Sequence, residues 1–223
     1  MKVFSITAIL AWTMLLSAPG LAQGAEQGGK AAIDGWGKLK FGMSVQQAVA
    51  AMPDLNLKSE ACTTQIARNG CHVAFPLTKP VSINGLDLML TDMKFDRYNR
   101  LSVVILKLFE DSKEPNPVVR HGRCEEYYLR LLHPLEKKYG AFVSVIKNEK
   151  GSDYFTLKST TNKQASDRYN QSLMGSPAIT YGPHIQLEAY APSATCALTL
   201  IYASNPPAPE AAPENTVNAE DLL

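Results

Sequence analysis

The sequence predicts an α+β fold: antiparallel sheets with two helices packed on one face, held by two disulfides. Three observations carry this expectation. Apolar residues recur at helical spacing in two stretches, around 45–52 and 123–139. Short alternating segments between and after them are punctuated by turn residues. The chain also holds four cysteines behind an apolar leader, and in an oxidising compartment an even count usually means disulfides.

The leader comes first. Lys2 precedes an apolar run from Phe4 to Leu16, then Pro19-Gly20 and the small residues Gly20 and Ala22. That order predicts a secretory signal cleaved after Ala22, or after Gly24 with Ala22 three places back. A membrane anchor needs about 20 apolar residues, and this run is shorter. No cysteine stands near the cut for a lipid anchor. The mature chain is expected to be periplasmic or secreted, without a transmembrane anchor. The expected organisation is a signal peptide (1–22), a flexible linker (23–32) and a domain (33–203) with halves 33–115 and 116–203. A tail (204–223) rich in proline, alanine and acid is expected to be disordered, since it buries too little to offset its ordering entropy.

Within the domain, Ser44 and Gln47 form a capping box, which opens a helix by satisfying backbone donors reciprocally. Val45, Ala48, Val49 and Met52 continue it and Pro53 ends it. Gly42 is placed for a backbone angle that a side chain resists. Segments 61–66 and 72–75 read as hairpin arms around Arg68-Asn69-Gly70, which makes a Cys62–Cys71 bridge easy to draw and leaves Cys124 for Cys196. Leu86 to Phe95 alternates as a half-buried strand. Asp96 to Arg100 turns, and Leu101 to Phe109 returns. Leu101, Val103 and Ile105 share one face of that strand, and Val104, Leu106 and Leu108 the other; a strand apolar on both faces lies centrally or under a helix. Residues 110–118 read as a loop. The second helix is expected from Arg123 to Tyr139, stopped by Gly140 and kinked or split at Pro134. Strands follow at 142–146 and 154–157, then a polar loop from Thr160 to Pro183, then strands at 185–190 and 196–202. Helix, four strands, helix, four strands is the order of a tandem repeat.

Charge narrows the partners. The chain has 22 basic and 21 acidic residues. Lys2 lies in the leader, and Glu210, Glu214, Glu220 and Asp221 lie in the tail, so 21 basic and 17 acidic residues remain between. That mild excess does not make the concentrated basic face nucleic acid requires.

The segment Phe41-Gly42-Met43-Ser44-Val45-Gln46-Gln47-Ala48-Val49 resembles the G-M-[ST]-x-x-[EQ]-[AV] helix opening of small exported α+β proteins. These are the β-lactamase-inhibitor-protein-like domains and the small lipoproteins of outer-membrane assembly. The resemblance implies a helical pair on an antiparallel sheet, sometimes in tandem, and a role in binding other proteins. It assigns no functional residue.

No GxSxG, HExxH, Gly-rich phosphate loop or EF-hand pattern occurs, and the cysteines lack the paired CxxC spacing of zinc sites. No catalytic residue, metal ligand or cofactor is assigned. The binding candidates are Arg120, His121 and Arg123, a basic patch at a helix start, with Tyr181 and His184 at a strand entry, beside the 160–183 loop. The expected function is a non-catalytic, exported accessory module that docks on another envelope or secreted protein. A periplasmic small-ligand or ion-binding protein is the alternative, and a hydrolase using His184 or His121 as base is the third reading.

Overall fold

The computed structural model describes residues 30–57, 70–111, 115–147, 154–174, 180–192 and 195–205. The signal segment, most of the linker, the 61–66 arm with Cys62, and the tail beyond Asn205 lie outside them.

The chain opens with a short hairpin, β1 (Gly35–Trp36) and β2 (Leu39–Lys40), and then helix α1 (Val45–Ala51). The capping box forms as expected: Ser44 Oγ accepts from the Gln47 amide, and Gln47 Oε1 accepts from the Ser44 amide at 2.8 Å. Gly42 has φ +86°, and its amide donates to the Leu101 carbonyl at 2.9 Å. Asn99 Oδ1 accepts from the Val45 amide at 3.2 Å. These bonds tie the start of α1 to a turn more than fifty residues away.

The sheet follows: β3 (Cys71–Ala74), β4 (Val81–Ile83), β5 (Leu86–Phe95) and β6 (Leu101–Asp111), then α2 (Pro117–Tyr139), β7 (Val143–Lys147), β8 (Tyr154–Thr160), α3 (Lys163–Leu173), β9 (Tyr181–Pro192) and β10 (Thr195–Asn205). All pairings are antiparallel, in the order β3-β5-β6-β10-β9-β8-β7 with β4 beside β5. The central β6–β10 pair joins the two halves of the chain.

α2 lies on one face. Its buried Cys124, Tyr128, Leu131 and Leu135 share a core with Val104 and Leu106 of β6, Leu187 of β9 and Leu198 and Leu200 of β10. Val45 and Ala48 of α1 join the same core. Cys124 is bonded to Cys196 across 72 residues of chain, pinning the first half of α2 to the start of β10. The described residues include no free cysteine. Gly140 ends α2 at φ +102°.

Five expectations are corrected. α2 begins at Pro117 rather than Arg123, because Asn116 accepts from the Val118 amide as N-cap and Pro117 occupies the first turn. It passes through Pro134 as one helix of 23 residues. The 160–183 loop contains a third helix, α3, capped by Asn162, whose Oδ1 accepts from the Ala165 amide at 3.0 Å. Finally, Val81–Ile83 is a strand, turning into β5 through Asn84-Gly85. β10 also runs to Asn205, two residues into the segment read as tail.

Candidate functional site

Strand registers place the second face of the sheet residue by residue, because directly paired residues point the same way. Four rows cross it. Phe109, Ala197, Tyr190 and Thr156 form the first, and Lys107, Thr199, Glu188 and Lys158 the second. Asp92, Ile105, Ile201, Gln186 and Thr160 form the third, and Lys94, Val103, Ala203 and His184 the fourth.

α3 covers the last two rows. Ala165 and Tyr169 pack with Val103, Ile105, Ile201, Ala203 and Tyr181 in a second core separate from the first. Polar groups are buried with them. Ser166 Oγ donates to Gln186 Oε1, and both residues are essentially inaccessible. Gln186 Nε2 donates to Glu188 Oε1 at 2.7 Å, and Lys158 Nζ meets the same oxygen at 2.9 Å. A chain of polar contacts thus runs from beneath α3 to the uncovered rows. Burial raises the Tyr169 phenol and pushes Tyr181 up to about 12, so both are neutral donors at physiological pH.

The first row is open and the second is half-buried, with Lys158 buried at its end. Thr156, Lys158, Glu188, Ala189, Tyr190, Ala197 and Thr199 line a shallow cavity of about 370 Å³. Tyr190 is 46% exposed and Phe109 63% exposed. They flank Ala197 from the adjacent strands, roughly 10 Å apart at two strand spacings. Near the other edge, Asp92 takes a 2.6 Å contact from His72 Nε2 and a hydrogen bond from Thr91, with Lys107 at 3.8 Å. Burial pushes this carboxyl up, but the His72 and Thr91 hydrogen bonds and the Lys107 charge outweigh it and hold it below its ordinary range. Phe75, on the edge strand's outgoing turn, is 62% exposed with φ +48°, an uncommon backbone state for so bulky a residue.

The sequence candidates do not converge. Arg120, His121 and Arg123 sit in the first two turns of α2; Arg120 donates to the Pro115 carbonyl at 3.0 Å, and Arg123 lies 3.9 Å from Glu110. Tyr181 and His184 lie in the buried cluster under α3, where Tyr169, Tyr181 and His184 make three edge-on ring contacts of 5.4–5.8 Å. The patch lies near the Cys196 end of β10 and His184 pairs with Ala203, seven residues on, roughly 23 Å away along the strand. Tyr181, a binding candidate from the sequence, is only 7% exposed. Tyr190 is one of the tyrosines the sequence offers as exposed aromatics, whereas sequence reasoning missed Phe109, Lys158 and Glu188; the alternation along β6, β8 and β9 was the signal that places them on one face.

His184 faces the Tyr169 and Tyr181 rings and the Gly182 carbonyl, and His72 faces the Asp92 carboxylate. Among the described residues no helix is long and apolar enough to cross a membrane. The architecture is that of an antiparallel α+β protein with α1 and α2 on one face of the sheet and α3 over part of the other. No protein-family model, curated protein or solved structure matches the chain.

Proposed function

We propose that this chain is an exported accessory module that binds another folded envelope or secreted protein through the open half of its sheet. The observation that carries the reading is the row Phe109–Ala197–Tyr190: two exposed aromatics standing over a small-residue floor, beside a row of paired charges. Tyrosine and phenylalanine supply large contact area at low entropic cost, and interface hot spots favour such anchors. The partner is an apolar knob with a polar rim, seated on Ala197 and flanked by Lys158 and Glu188. A small-ligand carrier encloses most of its ligand, whereas Tyr190 leaves this cavity's wall half in solvent.

The leader, the resemblance at Phe41–Val49 and the disulfide-favouring compartment support the same reading. It includes cleavage after Ala22 or Gly24, a second bridge between Cys62 and Cys71, and a tandem origin for the halves joined at β6–β10. A photo-crosslinking residue placed in turn at positions 109, 190 and 118 tests it in the native envelope; Val118 is exposed on α2 and serves as the control. Cross-links from 109 and 190 to one common protein, abolished by Lys158→Ala with the fold intact, are expected. Cross-links from 118 alone would move the interface to the Arg120–Arg123 end of α2 and refute this site.

A further inference from the structure

His184 is completely buried between α3 and the sheet. Its Nδ1 lies 3.1 Å from the Gly182 carbonyl oxygen. A carbonyl only accepts, so Nδ1 carries the proton and Nε2 is the bare nitrogen. Nε2 has no hydrogen-bond partner among the described residues. The ring is instead held edge-on by Tyr169 of α3 at 5.7 Å and Tyr181 of β9 at 5.8 Å. A second proton would place a charged N–H donor in this site with nothing to accept it, which costs far more than leaving a neutral lone pair there.

We propose that α3 is an acid-sensitive cover, held on the sheet by neutral His184 and released when that imidazole is protonated. The surroundings favour release over compensation. α3 presents Tyr169, β9 presents Tyr181 and β8 presents Lys158, a cation whose field opposes a second positive charge. On the neighbouring rows, Glu188 of β9 is already held by Lys158 and Gln186, and Asp92 of β5 by His72 and Thr91. β6 and β10 offer Val103, Ile105, Ile201 and Ala203, none of which ionises. Burial, the largest effect, holds the imidazole below the ordinary 6.5, against the Gly182 hydrogen bond.

The sign follows from linkage. A base whose folded-state affinity for protons is depressed leaves the docked state at full stability above pH 6.5, and stability falls as pH drops below that value. With the docked form unprotonated, the undocked population rises by a factor of 1 + 10^(6.5−pH), about 30-fold at pH 5. Hydrogen exchange at pH 7.5 and pH 5, corrected for intrinsic rates, reads this directly. Protection of the 163–173 amides is expected to be lower than that of β10 at pH 7.5, to fall about 30-fold by pH 5 in the wild type, and to stay level in His184→Phe. Equal loss in the two proteins, or none in the wild type, overturns the proposal. If His184→Phe does not fold, an NMR titration of His184 in the wild type decides: a midpoint below 6.5 accompanied by loss of α3 signals supports it, and a midpoint at or above 6.5 refutes it. The outcome is independent of whether the open rows bind a protein.

Discussion

Replacing Cys124 and Cys196 together by alanine removes the one covalent link between α2 and the sheet among the described residues. The bridge closes 72 residues of chain. In the chain-entropy account, opening a loop of that length returns about 15 cal/mol/K to the unfolded ensemble, or about 4 kcal/mol at 25 °C. Both cysteines are buried, Cys124 completely, so the loss of packed sulfur works in the same direction. With a urea slope of about 2 kcal/mol/M, the unfolding midpoint falls by about 2 M. The assay is equilibrium urea unfolding of the mature, oxidised protein followed by Trp36 fluorescence, with calorimetry as a second probe to establish a two-state transition. A midpoint lowered by about 2 M is expected, with a slope equal to or somewhat above the wild type's because the uncross-linked unfolded chain exposes more surface. A shift under about 0.5 M would refute the reasoning: the unfolded chain between α2 and β10 would then be constrained without the bridge.

Two further substitutions separate the cores. Leu131→Ala, at a site 1% exposed under α2, is expected to cost about 2–5 kcal/mol and to lower the melting temperature of the whole protein; a cost under about 1 kcal/mol would mean that α2 contributes little to the main core. Asn162→Ala removes the cap that accepts from Ala165 and is expected to cost about 1 kcal/mol, visible as about fivefold faster hydrogen exchange in α3.

Much of the fold was legible because its signals are local. Ser44, Gln47 and Pro53 delimit α1 by backbone chemistry alone, and the Asp96–Arg100 turn fixes the β5–β6 hairpin, with Asp96 Oδ1 accepting from the Tyr98 and Arg100 amides at 2.9 Å. α3 was not legible by hydrophobic periodicity. Its buried face is Ala165, Ser166 and Tyr169, of which one is polar and satisfied only across space by Gln186 on β9, twenty residues later. The local cues were present in Asn162 as cap and in the Lys163–Asp167 pair at i,i+4, but they weigh little against a serine- and asparagine-rich segment. The start of α2 was missed for the opposite reason: Pro117 read as a loop residue is equally a first-turn residue when an asparagine precedes it. The site candidates suffered from ambiguity of facing. Tyr181 and His184 stand next to the polar segment in sequence, yet the register turns them inward.

β6 shows why the open rows are more than a solvated back face. A sheet covered on one side normally alternates apolar and polar along each strand, but β6 is apolar on both sides at 103–106, and the second cover is α3 over Val103 and Ile105. Four residues past Ile105 on that same side, Phe109 stands 63% exposed, with Tyr190 two strands away. Taking about 200 Å² for each aromatic side chain, their exposed parts together leave roughly 220 Å² of ring surface that folding does not bury, worth about 5–6 kcal/mol gross if a partner covers it. A micromolar complex requires about 8 kcal/mol net, after the costs of association. The aromatic pair therefore supplies an anchor without being sufficient, and in the proposed complex the remainder comes from the half-exposed Lys107 and Glu188 of the second row. The proposed contact, so divided, is expected to be weak to micromolar and salt-sensitive.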